Sequence, residues 1–101
     1  MTRLLLVDDH AVVRSGLKML LSVHSEMEIV GEADTAAGAM QEAERTHPDV
    51  ILMDIGLPDK TGIEATREIK AKFPDIKIVA LTIHEDEEYF FQMLDAGASG
   101  Y

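Results

Sequence analysis

The amino-acid sequence predicts an α/β fold built on a doubly wound parallel sheet, and two observations support this. Short apolar runs rich in branched residues recur along the 101 residues, and each run is too short for a helix. Segments whose apolar residues stand three and four positions apart, the spacing of an amphipathic helix, separate these runs. Such alternation predicts parallel strands joined by right-handed crossovers, with helices on both faces of the sheet.

Four strands are predicted in the chain. Residues 4–7, 50–53 and 78–81 are apolar without the alternation of a half-exposed strand, so we expect both of their faces to be covered. Residues 28–33 form a weaker candidate, because Gly31 and Glu32 interrupt the apolar run. We therefore expect this second strand to lie nearer an edge of the sheet.

A helix is predicted after each strand, beginning with residues 11–23. Thr61 and Glu64 have the spacing of a capping box at the start of the third helix, and Pro48 and Pro74 stand where the second and third helices should end. The apolar residues with helical spacing are Val13, Leu17, Leu20 and Leu21, then Ala36, Ala39, Met40 and Ala43, then Ala65, Ile69 and Phe73, and finally Phe90, Met93 and Leu94.

Composition excludes several classes of function. The chain has no cysteine, which rules out disulfides, a thiolate zinc site and a thiol nucleophile. Its 19 acidic residues against 9 lysines and arginines give a formal charge of −10, which repels nucleic acid, so we do not expect these residues to bind DNA.

The sequence shows no targeting or membrane-spanning segment. The apolar run at the N-terminus is too short for a signal peptide and is followed directly by acidic residues, and no apolar stretch approaches the roughly 20 residues that cross a bilayer. We expect a cytoplasmic protein without a membrane partner.

Polar residues follow three of the predicted strands directly. Asp8 and Asp9 follow the first strand, Asp54 the third and Thr82 the fourth. Ligands of open α/β sheets bind at this carboxyl edge. Two unit charges about 5 Å apart repel by roughly 3 kcal/mol at an effective dielectric constant near 20, so three converging carboxylates should bind a cation. Oxygen ligands favour a hard ion, and Mg²⁺ is the expected one.

Asp54 is the candidate nucleophile of this edge. A carboxylate at the end of so apolar a strand is poorly placed for solvation alone, and a carboxylate can attack phosphorus to give an aspartyl phosphate. Asp8 and Asp9, in contrast, could also cap a helix and stay solvated. The histidines show no metal-ligand spacing and are expected to be surface or capping residues. They are His10, His24, His47 and His84.

Taken together, these motifs resemble the receiver domain of two-component response regulators over essentially the whole chain. The residues that carry the resemblance are Leu-Val-Asp8-Asp9-His10, Leu-Met-Asp54-Ile-Gly-Leu-Pro58 with Gly62 beyond it, and Ala-Leu-Thr82. The Asp-Asp-His-x-x-Val-Arg run is most similar to the subgroup with a LuxR-type helix-turn-helix output domain. The resemblance implies a flavodoxin-like sheet with strand order 2-1-3-4-5.

The resemblance also implies roles for residues at the carboxyl edge. Asp54 would be the phosphoacceptor for a sensor histidine kinase. Asp9 would bind Mg²⁺ directly, Asp8 directly or through water, and Asp54 and the carbonyl of Gly56 would supply further oxygens. Thr82 would contact the phosphoryl group, so that Asp54 and Thr82 together catalyse the domain's own phosphorylation and dephosphorylation. No turnover of an external substrate is implied.

Switching and output are implied in the same way. Thr82 would move on phosphorylation together with Tyr101, which matches the aromatic switch residue of the family. Homodimerisation would follow. The family's lysine three positions after this aromatic, the rest of the fifth strand and the fifth helix are not among residues 1–101, so we expect a receiver truncated at its fifth strand. DNA binding would then belong only to an output domain beyond residue 101.

Two alternatives stay open from the sequence. The first is a receiver-like interaction module that does not respond to phosphate, which the missing lysine keeps open. The second is a haloacid-dehalogenase-type phosphatase, which also uses an Asp at a strand end with Mg²⁺. That enzyme class needs a second Asp two residues after its nucleophile, and this chain has Gly56 there.

Overall fold

Strands and helices alternate strictly in the computed structural model, which describes residues 1–54 and 56–81. The elements are β1 (Thr2–Val7), α1 (Ala11–Ser22), β2 (Met27–Ala33), α2 (Ala36–Thr46), β3 (Val50–Asp54), α3 (Gly62–Lys72) and β4 (Lys77–Leu81). The predicted order of elements is confirmed as far as β4. The predicted fourth helix, the start of the fifth strand, Thr82 and Tyr101 lie outside the described residues.

All of the strand pairs within this part of the chain are parallel, and the sheet has the order β2-β1-β3-β4. This confirms the predicted order up to the fourth strand and places β2 at one edge, as its interrupted apolar run indicated. β1 lies between β2 and β3, with Val7 paired to Met53. The carboxyl ends of β1 and β3 are therefore neighbours.

One face of the sheet packs against α2 and α3. The strand residues on this face are fully buried: Leu5, Val7, Ile51, Met53, Ile78 and Ala80. Small residues of α2 let that helix approach closely, since Ala39 and Ala43 are both 0% exposed, and α3 contributes Ala65 and Ile69. The helical spacing of apolar residues in these two segments thus correctly predicted which of their faces is buried.

The helix α1 lies on the opposite face. Glu32 of β2 pairs with Leu6 of β1, so both side chains point to the same side of the sheet, and Arg14 and Lys18 of α1 contact Glu32. Helices therefore cover both faces, as predicted.

Coverage of this second face differs from the prediction. None of the described α1 side chains is buried, and Leu20 is 68% exposed. Among the described residues, β1 is the only strand buried on both faces. The reason is that α1 is the only described helix on the second face, and it does not extend over β3 and β4. Leu52 and Val79, which face the same way, are only half-buried.

The helices begin and end close to the predicted signals. Thr61 Oγ1 accepts a hydrogen bond from the amide of Glu64 at 3.2 Å, which confirms the threonine part of the capping box. Both α2 and α3 end before the prolines at 48 and 74, with His47 closing α2 at a φ of 47°. No helix in residues 1–54 and 56–81 is long and apolar enough to span a bilayer.

Gly31 marks an irregularity of the edge strand. The register between β1 and β2 shifts there, so that Leu4 pairs with Ile29 but Leu5 pairs with Gly31. A Cβ atom at Gly31 would lie 3.2 Å from Leu5 Cδ1 and 3.5 Å from Thr46 Cγ2. Glycine is suited to this position because α2 and the neighbouring strand approach its backbone closely.

Candidate functional site

Three carboxylates meet at the carboxyl edge of the two central strands. Asp8 follows β1 directly, Asp9 comes next, and Asp54 is the last residue of β3. One carboxylate oxygen of each, together with a ring nitrogen of His10, lies within 4.8 Å of all the others. The convergence follows from the strand order, because β1 and β3 are adjacent and parallel and so end at the same edge.

Asp8 is the most enclosed of the three acids, at 7% exposure. Its amide donates a hydrogen bond to the carbonyl of Ala33 at 3.0 Å, which extends the pairing of β1 with β2 by one residue. Its Oδ1 accepts the amide of His10 at 2.8 Å. Asp8 thus closes the turn that leads into α1 while presenting its carboxylate to the site. The amide that it accepts belongs to His10, the N-cap residue itself, so this bond is not a helix cap, and the low exposure of Asp8 does not fit the solvated alternative considered from the sequence.

His10 is the residue that the sequence interpretation missed. Its Nδ1 lies 3.1 Å from Oδ1 of Asp8 and 2.9 Å from Oδ1 of Asp9. The hydrogen bond to Asp8 and the charge of Asp9 raise the pKa of the imidazole. His10 is exposed and is the N-cap residue of α1, as expected, but it also belongs to the acid cluster. Its position directly after two acids was the available signal.

Asp54 is half-buried at the end of the apolar strand. Burial raises the pKa of its carboxyl group, and the charges of Asp8 and Asp9 act in the same direction. The amide of Gly56 opposes this rise by donating to Oδ1 of Asp54 at 3.3 Å. A carboxylate in these surroundings is short of positive charge, which suits it to binding a cation or attacking an electrophile.

Gly56 belongs to the loop between β3 and α3, and this loop is attached to the protein at two places. Leu57 is buried in the core at 8% exposure. Oδ1 of Asp59 accepts the amide of Ala36 at 2.8 Å, and Oδ2 accepts the amide of Ala37 at 3.0 Å. Asp59 therefore caps the start of α2 from a different part of the chain and holds the loop against it.

The oxygen-rich donor set of the cluster fits a hard divalent cation. Asp8, Asp9 and Asp54 offer carboxylate oxygens, which Mg²⁺ prefers, and their mutual repulsion falls when a cation is bound. The imidazole of His10 is a softer ligand, and its Nδ1 already contacts the carboxylates of Asp8 and Asp9. Gly56 stands close to Asp54 through its amide. Thr82 and Tyr101, the other residues assigned to the site from the sequence, lie outside the described residues.

Curated relatives match almost the whole chain. It is 41% identical over 99 residues to the "Transcriptional regulatory protein DegU" of Brevibacillus brevis, covering 98% of this chain and 42% of that protein. It is 43% identical over 100 residues to the "Oxygen regulatory protein NreC" of Staphylococcus carnosus (strain TM300), covering 98% and 46%. The chain thus spans less than half the length of these two relatives.

A solved structure shares the fold closely. The two-component response regulator of the LuxR family from Aurantimonas sp. SI85-9A1 superimposes with a TM-score of 0.96 at 38% sequence identity. The match covers 100% of this chain and 72% of that one. The family model described as "Response regulator receiver domain" matches residues 4–101 of this chain. The chain belongs to the response regulator receiver domain family.

Proposed function

We propose that this chain is the phosphorylation-controlled receiver of a two-component transcriptional regulator and that Asp54 accepts the phosphoryl group. The observation that carries the proposal is the meeting of Asp8, Asp9 and Asp54 within 4.8 Å at the carboxyl edge of the sheet. The two relatives named above as regulatory proteins support the same assignment.

The chemistry begins at a carboxylate oxygen of Asp54. This oxygen attacks the phosphorus of a phosphohistidine on the sensor kinase, and the new O–P bond forms as the P–N bond breaks. The kinase imidazole leaves and takes up a proton from solvent. Water later attacks the phosphorus of the aspartyl phosphate, which releases inorganic phosphate and restores the carboxylate. Each cycle modifies the protein itself, so the chain is not an enzyme that turns over a metabolite.

The metal implied by this chemistry is Mg²⁺, held by the carboxylates of Asp8, Asp9 and Asp54 and by the carbonyl oxygen of Gly56. When bound it would neutralise charge that develops on the transferred phosphoryl oxygens. The protein's own contribution is to hold the acceptor still. Asp54 is fixed by its place at the end of β3 and by the amide of Gly56.

Further parts of the proposal concern the whole protein. A sensor histidine kinase would be the donor, and Thr82 and Tyr101 would couple phosphorylation to homodimerisation. A DNA-binding output domain beyond residue 101 would act on transcription in the cytoplasm. This division of labour accords with the formal charge of −10 on these residues, which does not suit them to contact nucleic acid directly.

The phosphatase alternative has no support from these findings. A second acid two residues after the nucleophile would be needed, and Gly56 occupies that position. The family match covers residues 4–101 and assigns them to a receiver domain.

Incubation of the full-length protein with acetyl phosphate and Mg²⁺, followed by intact mass measurement, tests the proposal. We expect the mass of one phosphoryl group to be added to the wild type and to Asp75→Ala, an acid at the opposite edge of the sheet. Asp54→Ala should gain none. Omission of Mg²⁺ should abolish the modification of the wild type.

A wild type that gains no phosphate, or an Asp54→Ala variant that gains as much, would contradict the assignment. A titration with Mg²⁺ over millimolar concentrations then distinguishes a metal-binding receiver from an interaction module that does not respond to phosphate. A protein that binds neither Mg²⁺ nor phosphate would be the phosphate-independent interaction module.

A further inference from the structure

Arg14 of α1 links the acid cluster to the edge strand. Its guanidinium group donates from Nη1 to the backbone carbonyl of Asp8 and from Nε to Oε1 of Glu32 at 3.3 Å. The side chain is 20% exposed, so it is largely enclosed between the helix and the sheet. Its own amide donates to the carbonyl of His10 at 3.0 Å, which places Arg14 one helical turn beyond the cluster.

The contacted carbonyl belongs to the peptide that joins Asp8 to Asp9. A group that fixes this peptide therefore fixes the backbone from which both acids project. The backbone at the other end of the link belongs to the sheet, because Glu32 lies within β2 and pairs with Leu6 of β1. The planar guanidinium can hold both partners at once in a fixed relative geometry, which an ammonium group cannot do equally well.

Lys18, one turn further along α1, provides a comparison within the same chain. Its Nζ lies 3.1 Å from Oε2 of Glu32, so it also attaches α1 to β2. Lys18 contacts only a side chain of β2 through this ion pair, and it is more exposed than Arg14, at 44%. Both side chains thus tie the helix to the sheet, whereas Arg14 also holds the backbone of the site.

We propose that Arg14 is a positioning residue for the divalent-cation site, acting by holding the Asp8–Asp9 peptide against β2. The inference rests on the proposed role of the acid cluster in binding a cation. The run Asp-Asp-His-x-x-Val-Arg then has a physical reason for its spacing, since an arginine one turn into the helix reaches back to the strand end.

Charge and geometry make opposite predictions for Arg14. A guanidinium group beside carboxylates repels an incoming cation, so removal of its charge alone should strengthen metal binding. Loss of positioning should weaken metal binding, because carboxylates that are not held in place bind less tightly. The sign of the change in affinity therefore identifies the role.

The test is a Mg²⁺ titration of the full-length protein carrying Arg14→Met, Arg14→Lys or Lys18→Met. Arg14→Met should weaken Mg²⁺ binding by about tenfold to a hundredfold, the usual effect of losing a group that orients metal ligands. Arg14→Lys should be intermediate. Lys18→Met removes the same charge from the same helix and should change affinity by no more than about twofold. An Arg14→Met variant that binds Mg²⁺ as tightly as the wild type, or more tightly, would overturn the proposal.

Hydrogen exchange of the metal-free protein gives a second readout. The amides of Asp8 and His10 are hydrogen-bonded around the peptide that Arg14 holds. Their exchange should be about tenfold faster in Arg14→Met and unchanged in Lys18→Met. Unchanged exchange in Arg14→Met would refute the positioning role. A wild-type protein that does not bind Mg²⁺ would contradict the proposed function instead. The exchange data would still show whether Arg14 holds the Asp8–Asp9 peptide in place.

Discussion

Asp54 holds its charge under unfavourable conditions. It is half-buried, and two other carboxylates, Asp8 and Asp9, lie within 4.8 Å. Burial and these charges raise the pKa of its carboxyl group, so its ionised form destabilises the metal-free fold. The same feature prepares the residue for its proposed chemistry, because a cation is attracted to the uncompensated charge and would in turn reduce the repulsion between the carboxylates and an incoming phosphoryl group.

Asp54→Asn should therefore make the metal-free protein more stable at pH 7. The substitution removes one of three repelling charges, and after solvent screening we expect a gain of about 1 kcal/mol in the free energy of unfolding. Urea denaturation in the presence of a chelator measures it. Asp75→Asn, which removes an exposed acid far from the cluster, should shift stability by less than about 0.5 kcal/mol. A less stable Asp54→Asn protein would show that repulsion in the cluster is not a significant cost.

Between elements, the start of α2 depends on a residue of another segment. Thr35 caps the amide of Gly38 at 2.9 Å, and Asp59 of the loop between β3 and α3 accepts the amides of Ala36 and Ala37. The two hydrogen bonds from Ala36 and Ala37 lower the pKa of Asp59, and the bond from Ala36 is the largest cause. The ionised carboxylate also interacts favourably with the positive end of the helix. One carboxylate thus joins α2 to the loop that contains Gly56.

Asp59→Asn should destabilise the protein at neutral pH and not in acid. A carboxyl group with a lowered pKa in the folded state contributes stability above its unfolded pKa of about 3.9, and this contribution is lost as the pH falls through the folded value. The difference in Tm between wild type and variant should therefore be largest near pH 7 and shrink steadily below about pH 4. Thermal denaturation across this pH range measures it.

Asp34→Asn is the matched control for that experiment. It removes one negative charge two residues before α2, and in the part of the chain described here Asp34 makes no hydrogen bond to that helix. Its effect on Tm near pH 7 should be smaller than that of Asp59→Asn. Equal effects of Asp34→Asn and Asp59→Asn would mean that charge near the helix matters and the two hydrogen bonds do not.

For the whole molecule, the formal charge of −10 sets the response to ions. Self-repulsion of excess acidic charge opposes the compact state, and any salt reduces it by screening. A bound cation acts differently, because it stabilises only the folded state that holds its site. The two effects can be separated by comparing salts at the same ionic strength.

Mg²⁺ should raise Tm more than NaCl of equal ionic strength. Binding at one hundred times Kd contributes about 2.7 kcal/mol, and each kcal/mol moves the Tm of a domain of this size by about 4–8 °C. Thermal denaturation in the two salts measures the difference, which should disappear in Asp54→Asn. The same rise in both salts would show that Mg²⁺ acts only by screening.

The architecture was predictable from the sequence because its signals are local. The apolar runs of β1, β3 and β4, the buried faces of α2 and α3, and the prolines after those helices are patterns within a few neighbouring residues. Asp8, Asp9 and Asp54 were found for the same reason, since each stands at the end of an apolar run. Strand order entered through the family resemblance and is confirmed as far as β4.

The sequence by itself thus determined the succession of elements and the acids at their ends. Only the tertiary structure decided which distant residues support them. Arg14 meets Glu32 from 18 residues away, and Asp59 meets Ala36 from 23 residues away. The exposure of the apolar residues of α1 was likewise not predictable from their helical spacing. These contacts depend on how helices cross a particular sheet, and periodicity along the chain has no information about that crossing.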